Sequence, residues 1–140
     1  MQTNDLCVRV VSERAEWDAY VANSGLGGVG HHWGMGRVLV EFYGYDRYLP
    51  MGVCESPTSP LVAVFPCVVR RSESLYSMGE GVRGGVLSCT ARSGEQVGDA
   101  LRRYISREGY SLVQVTSAST LPGHGDHGLL GEAGVRTPVS

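Results

Sequence analysis

Residues 24–34 read "SGLGGVGHHWG", and within them Gly25, Gly27, Gly28 and Gly30 spell G-x-G-x-x-G. If this is a phosphate-cradling turn, the chain is a dinucleotide-binding α/β protein. If it is only a connection, another architecture must be found. A dinucleotide turn needs a strand before its first glycine and a helix after its last, with an acidic residue about 20 positions on. Upstream, however, "ERAEWDAYVANSG" places Trp17, Tyr20 and Val21 at i, i+3 and i+4, one face of a short helix that Gly25 stops. Ser12 is a candidate cap for that helix. Downstream, Asp46 and Glu55 do not close a β-α-β unit. The glycines therefore read as a linker between two helices.

The second helix lies in "HHWGMGRVLVEFYGY", where Met35, Leu39 and Phe42 form a stripe with Val38 and Tyr43 beside it. Gly44 ends it. Before the first helix, "LCVRVV" (6–11) alternates as a short strand. After the second, "RYLPMGVCES" and "LVAVFPCVVRRS" flank the turn "SPTSP" and predict a hairpin. Pro66 predicts a bulge or an edge position there. "ESLYSMGEG" and "RGGVLSC" suggest further short strands. In "SGEQVGDALRRYISREG", Val97, Leu101, Tyr104 and Ile105 mark the clearest helix, with Ser93 as a possible cap and Gly109 as its end. "YSLVQVTS" predicts a final buried strand. Residues 119–140, polar and glycine-rich without period, read as a loose tail that packs weakly and builds no site.

Composition narrows the function classes. The 140 residues suffice for one domain with its own core. A net charge of −2 argues against nucleic-acid or membrane-surface binding, both of which need concentrated positive charge. All 12 basic residues are arginine, which excludes a lysine nucleophile, Schiff base or P-loop lysine. The start, "MQTNDLCVRVV", has no apolar core of signal-peptide length and no run approaches a membrane span, so a cytoplasmic location is expected. Cys7, Cys54, Cys67 and Cys89 are far apart in sequence, lack a C-x-x-C pair, and read as buried reduced thiols.

The expected fold is α/β in the α+β sense, a mixed and mostly antiparallel sheet flanked by helices. The order strand, helix, loop, helix, hairpin, strand, helix, strand is similar to one half of a GNAT-type acyltransferase. More narrowly, residues 7–118 resemble the FemAB-like acyltransferases. The likeness is carried by Trp17-x-x-Tyr20-Val21, by the His31-His32 segment before the helix led by Trp33, and by Tyr43-Gly44-Tyr45-Asp46 closing that helix. A Pro66-x-x-x-x-Arg71 turn follows, and then Arg83-Gly84-Gly85 stands where the family has Y-G-G. The resemblance implies one half domain over 1–118 with the tail 119–140 behind it.

That family implies transfer of an acyl or aminoacyl group to an amine of a cell-envelope or polysaccharide precursor, with acyl-CoA or aminoacyl-tRNA as donor. Its members carry two such halves in tandem, so a lone half is expected to be incomplete. A homodimer or a separate second-half chain would be its partner, and a non-catalytic pairing module is the alternative. Arg37, one helical turn after Trp33, and the Arg83, Gly84, Gly85 element are the expected contacts to a small or nucleotide-linked substrate. The donor turn of such a fold has the form [QR]-x-x-G-x-[GA]. Before the third helix this chain reads "CTARSGEQVGDAL", where Arg92 and Gly94 are present but the fourth position is Glu95, whose carboxylate would repel a phosphate. No bound cofactor or metal is expected of this chain. His31 and His32 are neighbours whose side chains diverge, and His124, Asp126 and His127 lie in the tail. Glu55 and Glu80 are the general-base candidates near strand ends, a surface carboxylate being the default reading of both, and no nucleophile set is legible.

Overall fold

The computed structural model describes residues 6–25, 27–78, 84–88 and 94–115. The expected tail, the Ser93 cap, Cys89 and Arg92 lie outside these residues. Five strands and three α-helices follow in the order β1 (Cys7–Val10), α1 (Arg14–Ser24), α2 (Trp33–Tyr43), β2 (Arg47–Cys54), β3 (Leu61–Arg70), β4 (Ser74–Ser77), α3 (Gly94–Arg107), β5 (Ser111–Val115). One sheet holds them in sequence order β1-β2-β3-β4-β5. The first three pairings are antiparallel and β4–β5 is parallel. The parallel step is the one that spans a helix, α3, as a parallel connection requires. This is the expected α+β class, and G-x-G-x-x-G joins α1 to α2.

The two faces of β3 explain its sequence. Ala63, Phe65, Cys67 and Val69 face α3, packed with Val97, Leu101 and Ile105. Val64 and Val68 face the opposite side, with Trp17 of α1 and Leu39 of α2. A strand covered on both sides must be apolar at successive positions, which is why "LVAVFPCVV" shows no alternation. Full burial of Trp17, Phe65, Leu39 and Leu101 stabilises the fold by roughly 1.5–3 kcal/mol per side chain before entropy is counted.

Four local expectations are corrected. Pro66 sits neither on an edge strand nor at a bulge; β3 is interior, and the irregularity in its pairing with β2 lies at Val53/Cys54. Pro66 faces Pro50 across the β2–β3 ladder, and the polar sides of both point away from each other. Pro50 O receives the Val11 N–H at 2.8 Å on the β1 side, and Pro66 O receives the Ser77 hydroxyl at 2.8 Å on the β4 side. Neither missing N–H therefore interrupts that ladder. Ser12 makes no cap, since the residue before α1 is Glu13, with no side-chain cap bond. On α2 the buried residues are Gly36 and Leu39, whereas Phe42 is 74% exposed and Val38 and Tyr43 also face out. A Cβ on Gly36 would come within 2.1 Å of the Tyr48 ring, so the helix rests its bare backbone on that ring and turns Phe42 to solvent. Finally, β5 is an edge strand of the sheet, and its Leu112, Val113 and Val115 are only half-buried.

Candidate functional site

The glycine segment is built from the inside. Gly25 takes the left-handed conformation that ends α1, with φ of 69°. Gly28 donates its N–H to Nδ1 of His31 at 3.1 Å, and its carbonyl accepts the His31 N–H at 3.0 Å. With Nδ1 an acceptor, the ring proton sits on Nε2 and is donated to Gly85 O at 3.1 Å. The Trp17 indole N–H closes the set on His31 O at 2.7 Å. His31 is 2% exposed. Backbone groups that a phosphate turn would point outward are here turned inward onto a histidine.

The sequence-predicted contacts fall in different places. Gly84 and Gly85 are buried. A Cβ at Gly84 would lie 2.8 Å from Ser77 O, and Gly85 has φ of 90°, so both positions are held by close packing and backbone conformation. Gly85 donates its N–H to Ser77 Oγ at 2.8 Å, and its carbonyl accepts from His31. Its polar groups are thus engaged within the protein. Arg83 and Glu80 lie outside the described residues, as do His124, Asp126 and His127. Arg37 is on the outer surface of α2, its side chain 77% exposed and paired with Glu41 at 3.0 Å. The structure does not give Arg37 and the two glycines a common partner. Glu55 is exposed in the turn after β2, and Glu95 is exposed in the first turn of α3. His32 is exposed while His31 is buried, the divergence expected of neighbours.

A groove of about 320 Å³ opens between α1 and the start of α2, lined by Arg14, Asp18, Val21, Ala22, His32, Trp33 and Gly34. Arg14 and Asp18 are one helical turn apart and paired at 3.1 Å. Trp33 is fixed by edge-on contacts with Trp17 and Tyr48, at 5.8 and 5.5 Å between ring centres. Near this aromatic trio the Tyr48 hydroxyl is buried without a partner among the described residues, and burial pushes that phenol well above its ordinary range. A carboxylate beside an indole suits a cationic amine, and the adjacent guanidinium suits an anion. The lining holds neither a thiol nor a hydroxyl nucleophile.

A larger groove of about 390 Å³ between α3 and β5, around Ile105, Tyr110 and Leu112, contains one charged side chain, Arg102. Among the described residues no three His, Cys, Asp or Glu side chains gather as metal ligands, and no helix is long and apolar enough to cross a membrane. Sequence reading missed the α1–α2 groove because Arg14 and Asp18 look like an ordinary i, i+4 surface pair. The signal that was present was the position of Trp33 directly after two histidines. Comparison with family models, with curated proteins and with solved structures finds no match to this chain.

Proposed function

We propose that this chain is a cytoplasmic FemAB-like N-acyltransferase half domain that holds the amine-bearing acceptor, a cell-envelope or polysaccharide precursor, while a second half supplies the acyl donor. The observation that carries this reading is the order of elements: strand, two helices, three antiparallel strands, helix, and one parallel strand. That is the order the sequence resemblance leads one to expect of a single half. In this reading Asp18 and Trp33 receive the ammonium group, and Arg14 and Arg37 meet the phosphates of a nucleotide-linked precursor. Gly84 and Gly85 support the sheet behind the site, and the donor, acyl-CoA or aminoacyl-tRNA, engages the other half. Calorimetry with nucleotide-linked amino-sugar precursors is the test. Saturable heat that Asp18→Asn removes is expected; a folded chain that takes up none of them sinks the reading.

A second reading, a non-catalytic pairing module, is favoured by the outer face of α2, where Val38, Phe42 and Tyr43 lie exposed together. Sedimentation separates the two. A pairing module self-associates or binds a second chain, and Phe42→Glu abolishes that; a monomer at every concentration, with no partner chain bound, removes its motive.

A further inference from the structure

Cys7 and Cys54, 47 residues apart in sequence, are direct partners in the β1–β2 ladder. Opposed residues project from the same face of a sheet. The phase of the ladder is set by the Val11 N–H on Pro50 O, a bond in the same register. Four residues back along β1, Cys7–Cys54 is therefore a hydrogen-bonded pair, with Cα atoms about 5.5 Å apart. Disulfides span Cα separations of roughly 4.4–6.8 Å. Each thiol already leans on the opposite strand, Cys54 Sγ 3.8 Å from Cys7 O and Cys7 Sγ 4.0 Å from Glu55 O. The Cβ atoms of such a pair stand about 5.5 Å apart against the roughly 3.5–4.5 Å of a disulfide, so rotation about Cα–Cβ turns the sulfurs toward each other and the edge strand β1 draws in by about 1 Å to close the bond.

The two thiols differ in access and in surroundings. Cys54 is buried and Cys7 is half-buried on an edge strand. Arg9, two residues along β1 and so on the same face, is held by Glu16 of α1 at 2.7 and 3.0 Å. Its buried Nε has no partner among the described residues. Burial pushes the Cys54 thiol up, and this guanidinium draws it back by favouring the thiolate. Cys67 is enclosed on the α3 side of the sheet, and among the described residues no guanidinium offsets the burial that pushes its thiol up.

We infer that Cys7 and Cys54 are a peroxide-responsive dithiol that closes into a cross-strand disulfide. Cys7 attacks first as the thiolate. An S–O bond forms at one peroxide oxygen, the O–O bond breaks, and the departing oxygen takes up the proton the thiol released. Cys7 is left as a sulfenic acid, oxidised by two electrons while the peroxide is reduced by two. Cys54 then attacks the Cys7 sulfur. The S–S bond forms, the S–O bond breaks, and hydroxide leaves with the Cys54 proton as water. With hydrogen peroxide, two thiols and one peroxide become one disulfide and two waters.

The test treats the reduced full chain with hydrogen peroxide, alkylates the remaining thiols and maps the peptides by mass spectrometry. A Cys7–Cys54 linked peptide and a loss of two hydrogen atoms from the intact mass are expected. Cys7→Ser should leave Cys54 an alkylatable thiol after the same exposure. Cys54→Ala should stop at a Cys7 sulfenic acid that dimedone traps; if that variant does not fold, the wild-type peptide map decides alone. Both thiols still alkylatable in the wild-type chain, Cys7 carried on to sulfinic acid beside a free Cys54, or a link through Cys89 instead would each overturn the inference.

Discussion

The two faces of the sheet are closed by different means. On one, a single helix, α3, lays Val97, Leu101 and Ile105 across Phe65, Cys67 and Val69, and the contact is made of apolar side chains. On the other, α1 and α2 share the cover, and polar groups are buried with them. His31 joins the glycine segment to Gly85, Ser77 bonds both Pro66 and Gly85, and Trp17 donates to His31 O. A strongly amphipathic helix needs only its stripe to find the sheet, since hydrophobic burial is not directional. Two weakly striped helices joined by glycines need directional bonds to fix how they lie, and those bonds are costly to leave unmade. The α1–α2 groove belongs to the second face, where position is set by hydrogen bonds.

This contrast can be broken by substitution, starting with the largest expected effect. Leu101→Ala on the α3 face should cost about 3–4 kcal/mol, the range of a fully buried leucine in a core that relaxes little. Urea unfolding measures it, and a cost well under 1 kcal/mol would mean α3 is not a fixed cover. On the opposite face His31→Ala should cost about 3 kcal/mol, from the lost side-chain volume together with the buried Gly85 O and the half-buried Gly28 N–H left unpaired. His31→Phe, which restores volume without the bonds, should recover only the volume part of it. Full recovery by phenylalanine would show that the face is held by packing alone, and the distinction between faces would go.

Smaller effects sharpen the picture. Gly36→Ala gains about 1 kcal/mol of helix propensity. It must also push the new Cβ into Tyr48, whose ring is flanked edge-on by Trp17 and Trp33 and has little room to turn. Overpacking costs about 1–3 kcal/mol, so the clash should win and the variant should be less stable by about 1 kcal/mol, as Tm will show. A more stable variant would mean that α2 slides freely over Tyr48.

The smallest effect is expected at Arg9–Glu16. The hydrogen bond from Arg9 holds the Glu16 carboxyl below its ordinary range. A carboxyl depressed in the folded state contributes stability above its unfolded value, near 4.5, and loses it as pH falls through the lower folded value. Glu16→Gln should cost about 0.5–1 kcal/mol at neutral pH, because the pair is partly exposed. The difference from wild type should vanish on acidification; one that persists unchanged to strongly acid pH would show that the ion pair is not its source.

Much of this fold is decided locally and can be read from the chain. The apolar spacing of Val97, Leu101 and Ile105 dictates α3, Gly25, Gly44 and Gly109 stop the three helices, and "SPTSP" turns β2 into β3. Those features depend on neighbours within one or two turns, where periodicity and backbone preference act directly. The inward face of α2 was not decided there. Its hydrophobic letters favour Phe42, yet Tyr48, a residue on another element, reserves Gly36 for the contact and leaves Phe42 in solvent. The uses of His31, of the Pro50–Pro66 pair and of Cys7 opposite Cys54 depend likewise on which strands become neighbours. Only the tertiary structure decides these, because hydrogen-bond direction and strand register join residues tens of positions apart, and no local spacing in the sequence records such a distance.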